Sequence, residues 1–101
     1  MIVYNITIKI LPQIETEWLI WQKNEHIPEI MSTGLFYDYR FYRLLEEDES
    51  DGLTYVVQYF AYSKENYNNY ISSFAEKLRD KAIARWGEKF LAFRTVMQVV
   101  N

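Results

Sequence analysis

Residues 1–10 read "MIVYNITIKI". Ile2, Tyr4, Ile6, Ile8 and Ile10 alternate with Val3, Asn5, Thr7 and Lys9. Successive side chains of a strand point to opposite faces, so this period of two predicts a β-strand with one wholly apolar face. A secretory leader would instead carry an unbroken apolar run behind positive charge, so the stretch reads as structure and the expected compartment is the cytoplasm. No apolar run approaches the ~18 residues that a membrane span needs.

Outward from this strand, "LPQIETEW" (11–18) opens a helix. Pro12 suits a first turn, and Glu15 and Glu17 suit the positive end of the helix dipole. Ile14, Trp18 and Trp21 form one stripe, with Ile20, Ile27 and Met31 beside it, which carries the helix to about Met31. The stretch "NEHIPEIMSTG" (24–34) interrupts that pattern. Pro28 cannot donate to Asn24, and the residue before a proline disfavours helical geometry, so a bend is expected around His26 to Pro28 and a stop at Gly34. Ile27, Ile30 and Met31 should still point inward.

"LFYDYRFYRLLEE" (35–47) and "LTYVVQYFAYS" (53–63) read as two strands of a hairpin closed by "EEDESDG" (46–52). Ser63 can cap a second helix, with Glu65 in its first turn and Tyr67, Ile71, Phe74, Leu78 and Ala82 along one face. Gly87 ends it, and "KFLAFRTVMQVV" (89–100) is a last strand. The order predicts an α+β, ferredoxin-like βαββαβ domain over residues 1–101, with a four-stranded antiparallel sheet ordered 4-1-3-2 and both helices on one face.

Two helices cover one sheet face only, so the facing of each strand matters. The helix side is assigned the even residues Ile2 to Ile8, together with Tyr37, Tyr39, Phe41, Leu53, Tyr55, Val57 and Tyr59, and Leu91, Phe93, Met97 and Val99. The other face then holds Val3, Asn5 and Thr7, Asp38, Arg40 and Tyr42, Thr54, Val56, Gln58 and Phe60, and Ala92, Arg94, Val96 and Gln98. That mixture is neither core nor fully hydrated surface, and it reads as a dimer interface or a pocket wall.

Composition narrows the partners. Aromatic residues make up 18% of the chain, with nine tyrosines, whose apolar body and polar tip suit interfaces and half-wet cavities. The net charge is −3 and the bases are scattered, so no basic stripe exists to follow a nucleic-acid backbone. Cysteine is absent, which removes disulfides, thiolate metal sites and cysteine nucleophiles together. The acidic loop fails the D-x-[DN]-x-[DN]-G order of a calcium loop, so no metal is expected, and no cofactor motif is present.

The pattern "MIVYNITIKILP…W…HIPEIMSTGLF…YRLLE…TYVVQYF…Y…LR…RWGEKFLAFRTVM" resembles the dimeric α/β-barrel superfamily, which includes antibiotic-biosynthesis monooxygenases, and within it an uncharacterised bacterial family of this same length. The resemblance implies a ferredoxin-like protomer that pairs sheet to sheet as a homodimer. It also gives Asn5 the place of the strand asparagine used by monooxygenase and haem-degrading relatives. The haem-ligating histidine of those relatives lies on the second helix, whereas His26 lies on the first, so the haem site is not carried over.

Asn5, His26, Arg40, Gln58 and Arg94 are the candidate ligand-binding residues. Arginine matches a carboxylate bidentately, the amides fix orientation, and the imidazole titrates near neutrality. The alternative is that the arginines and amides pair with Asp38 or with the second subunit, and that His26 only ends a helix. Two functions fit these residues. One is a small organic ligand held between the sheet and the partner subunit, with cofactor-independent oxygenase or isomerase chemistry. The other is a non-catalytic regulatory or stress-response dimer.

Overall fold

The computed structural model describes residues 1–101. Its strands are β1 (Ile2–Ile10), β2 (Asp38–Arg43), β3 (Leu53–Ala61) and β4 (Phe90–Gln98), joined into one antiparallel sheet of order β2-β3-β1-β4. This is the 4-1-3-2 arrangement read from the other edge. No helix is long and apolar enough to cross a membrane.

The first helix runs without a gap over residues 12–31. A 3-10 turn (Pro12–Ile14) leads into an α segment (Glu15–Trp21), a π turn (Gln22–His26) and a second α segment (Ile27–Met31). Pro28 therefore does not end the helix. The Ile27 N–H donates to the Gln22 carbonyl five residues back, and the widened turn accommodates a ring that has no N–H to give. Ile27 keeps φ −60° and ψ −46°, so the expectation that the residue before proline leaves helical geometry is corrected. Gly34, at φ +76°, closes the turn beyond Met31 as expected. Ile27 and Ile30 are buried, but Ile20 is 55% exposed and does not belong to the apolar stripe.

The second helix spans residues 64–86. The Ser63 hydroxyl accepts from the Asn66 N–H at 3.1 Å and caps it. A π turn (Ile71–Ala75) inserts one residue between the α segments Lys64–Tyr70 and Glu76–Trp86. The insertion shifts the phase. The buried row is Tyr70, Ala75, Leu78, Ala82 and Trp86, while Phe74, expected inside, is 40% exposed.

One dimension of the molecule is only 19 Å, the thickness of a sheet plus one helix layer. Ladder partners share a face, so Ile6 faces the helices with Val57 and Arg94, Ile8 with Tyr55 and Ala92, and Ile10 with Leu53 and Phe90. Three strands face as the sequence predicts. β4 is the correction: Phe90, Ala92, Arg94 and Val96 lie on the helix side, and Leu91, Phe93 and Met97 lie on the open side. The sequence reading put the most apolar row of β4 into the core. Instead that row joins Val3, Val56, Phe60 and Tyr42 on the uncovered face, with Leu91 61% and Phe93 65% exposed.

The phase of the second helix is directly testable. Replacing Phe74 with serine should change unfolding free energy by about 1 kcal/mol or less, because the ring is 40% exposed and lies outside the buried row. Replacing Ala75 with leucine, at a position 1% exposed, should cost roughly 1–3 kcal/mol by overpacking. Urea unfolding of both variants checks this, and an uninterrupted α-helix would give the reverse order.

Candidate functional site

A pocket opens between the two helices and the sheet. Its floor includes Ile6, Ile8 and Val57, and Trp18, Trp21 and Trp86 wall it. Ten of its fourteen lining residues are hydrophobic, and the polar four are Gln22, His26, Arg79 and Arg94. About 420 Å³ is free of protein atoms, the part open to solvent included, and about 30 Å³ admits whole water-sized molecules. That is room for a few ordered waters or the head of a small ligand.

The π turn positions the first-helix members. With Trp21 and Trp18 already against the sheet, the widened turn sets both Gln22 and His26 on the pocket side. Such turns recur at functional sites. The His26 ring stacks on Trp21, with centroids 4.5 Å apart and planes 16° apart, and Trp21 meets Trp86 edge-on at 5.8 Å. From the second helix Arg79 donates Nη2–H to the Tyr4 hydroxyl at 2.9 Å. Arg94 comes from β4 and is exposed, so it stands at the mouth.

Four buried side-chain polar atoms in the chain lack a hydrogen-bond partner: Gln22 Oε1, His26 Nδ1, Arg79 Nε and Trp86 Nε1. All four belong to residues that line this pocket. Gln22 and Trp86 are each only 3% exposed, so water outside the pocket cannot serve them. Burial pushes the His26 imidazole down to about 4; Glu29 opposes the shift, while Arg94 and Lys81 add to it. The ring is therefore neutral at physiological pH.

The five residues singled out in the sequence do not come together. His26 and Arg94 share the pocket, whereas Asn5, Arg40 and Gln58 lie on the opposite face of the sheet. There Gln58 Nε2 donates to Asn5 Oδ1 at 3.2 Å, and Arg40 pairs with Asp38 at 2.6 Å and lies over Phe60. Pairing of Arg40 with Asp38 was the alternative open in the sequence. Gln22, Arg79 and Trp86 escaped the sequence reading as site residues. The available signal was Gln22 and His26 four apart within the tryptophan stripe, and Arg79 set between Leu78 and Ala82.

The chain belongs to the DUF4286 family, described as a domain of unknown function, which matches residues 1–100. No curated protein matches it. Among solved structures it is similar to an ethyl tert-butyl ether d (ethd) family protein of Bacillus halodurans, at 17% identity over 99% of this chain and 100% of that one, with a TM-score of 0.69. A dimeric ferredoxin-like protein from an uncultured marine organism is 11% identical over 99% of this chain and 95% of that one, with a TM-score of 0.71. SnoaB, a cofactor-independent oxygenase of Streptomyces nogalater, is 10% identical over 99% and 94%, with a TM-score of 0.63. At these identities the likeness establishes the ferredoxin-like fold.

His26 should leave a mark on stability. Between its unfolded value of 6.5 and its folded value of about 4, the unfolded chain takes up a proton that the folded chain refuses. Its contribution is thus complete above pH 6.5 and declines as pH falls towards 4, by about 3 kcal/mol at most. Urea unfolding at pH 7 and pH 4.5 should show the stability gap between wild type and His26→Gln narrowing by roughly 2 kcal/mol at the lower pH. A gap independent of pH would mean that the imidazole is hydrated.

Proposed function

We propose that residues 1–101 form a single ferredoxin-like domain that pairs sheet to sheet with a second copy in the cytoplasm. In this reading each protomer binds a small organic molecule in the pocket between its own helices and sheet. The observation that carries it is that all four unpartnered buried polar atoms belong to residues lining one cavity. Leaving such groups unsatisfied costs about 1–3 kcal/mol each, so their concentration at one place is the mark of a bound partner.

The ligand sits on the helix side of the sheet, not between sheet and partner, because Arg94 faces that way. Asn5, Gln58 and Arg40 then serve the interface, where a polar row among apolar neighbours fixes how two sheets register. The dimeric ferredoxin-like protein of similar fold supports the pairing, and so does the apolar row Leu91, Phe93 and Met97 on the open face.

Proton transfer is the chemistry the pocket suits best. The neutral imidazole beside two arginines can accept a proton from a bound acid, and its basicity rises when an anion enters beside it. A cofactor-independent oxygenase or isomerase works by such a step, and SnoaB of similar fold carries the first of these activities. A second reading, a ligand-sensing dimer without catalysis, is favoured by the small volume of about 30 Å³.

Light scattering should give the mass of a dimer, whose interface is expected to bury more than about 1,200 Å². Phe93→Glu should weaken association at least ~100-fold and leave a folded monomer, because it puts a charge where a ring is covered. A native mass spectrum of protein purified from its own host should show a retained mass per protomer. A concentration-independent monomer would remove the pairing, and repeated empty spectra would remove the ligand.

A further inference from the structure

The chain has five arginines; Arg85 lies over the Trp86 ring at 4.3 Å, and of the other four two have carboxylate partners and two do not.

 Arg40 and Arg43 are the paired ones, and Arg79 and Arg94 form no ion pair. Both unpaired guanidinium groups line the pocket, and none of the residues lining it is acidic. The chain has fourteen acidic residues and eleven basic ones, so partners were not in short supply. A cationic, acid-free pocket in an acidic protein is built for an anion from outside.

The unpartnered atoms refine its chemistry. Arg79 Nε–H and Trp86 Nε1–H are donors in want of an acceptor, and Gln22 Oε1 and a neutral His26 can accept. A carboxylate offers two acceptor oxygens and makes charge-assisted bonds with such donors. A hydroxyl beside it would serve the glutamine or the imidazole. The apolar walls, with Trp21 and Phe90 among them, suit a carbon skeleton better than a bare inorganic ion. About 30 Å³ holds the head group, and the rest of the molecule extends towards Arg94 at the mouth.

We propose that the pocket takes a small hydroxylated organic acid, its carboxylate held by Arg79 Nε–H and Trp86 Nε1–H and covered by Arg94. This rests on the pocket being the ligand site, and it adds the charge and class of the ligand.

Calorimetric titration of the full-length protein with salicylate, salicylamide and inorganic phosphate tests it. Salicylate should bind at least tenfold more tightly than its neutral amide, and phosphate should not displace it. Arg94→Gln, at an exposed position, should reduce that preference at least threefold. Trp86→Phe, which keeps the ring system apolar, should weaken salicylate about tenfold while circular dichroism stays unchanged. Equal binding of acid and amide, both lost in Trp86→Phe, would overturn the anion and leave the pocket as the ligand site. Displacement by phosphate would overturn the organic class. No binding of any probe to the wild type would overturn the proposal, and an empty native spectrum of host-purified protein would take the pocket reading with it.

Discussion

Two helices can lie against only one side of a four-stranded sheet, and the rest of this structure answers to that limit. β1 sits at the centre of the sheet and serves both sides at once. Its isoleucines and Tyr4 face inward, while Val3, Asn5 and Thr7 face out. The inner row must be covered by side chains from the helices, which explains why tryptophans recur there. Where β4 supplies only Ala92 and Arg94 opposite Ile8 and Ile6, bulk runs short. The pocket occupies that deficit, between Trp21 and Trp86.

Such a pocket sits uneasily with stability. A domain of this size commonly holds its fold by about 5–15 kcal/mol. Four polar atoms buried without partners take a sizeable share of that, and filling the same space with leucine or phenylalanine would be the stabilising choice. Burial holds the imidazole neutral well below the pH at which a free histidine takes up a proton. Tyr4 relieves only one edge of the Arg79 guanidinium. A polar cavity that weakens the empty protein is one that a ligand strengthens, since whatever binds the folded state alone adds to its stability.

The sequence disclosed the element order, the strand order and the centrality of β1, because alternation and capping are local signals. Ser63 and Gly87 marked the bounds of the second helix through their own backbone chemistry. The facing of β4 was not legible. Its two rows differ by one residue of register, and the richer apolar row, with Leu91 and Phe93, was assigned to the core on hydrophobicity alone. Hydrophobicity does not tell a core from an interface, and here the apolar row faces outward. The burial of Ala75 in place of Phe74 was hidden for a related reason: a π turn adds a residue without altering composition. Of the site, His26 and Arg94 were visible as unusual residues. Gln22, Arg79 and Trp86 acquire meaning only through the cavity they share.

The π turn in the first helix has a genetic consequence. It is in effect a one-residue insertion that the widened turn absorbs, so the helix on either side keeps its phase. Loss of a single codon within residues 23–26 would restore an ordinary α-helix, with the Ile27 N–H still reaching the Gln22 carbonyl, now four residues back, and Ile27 and Ile30 still in phase with Trp18 and Trp21. Ile27 and Ile30 would stay in the core, and the change would fall on the turn that presents Gln22 and His26 to the pocket. Substitutions at Gln22 or His26 likewise leave the phase unchanged. The line of descent can therefore revise what this pocket recognises by point changes or by the loss of one residue, while the core on either side of the turn keeps its place.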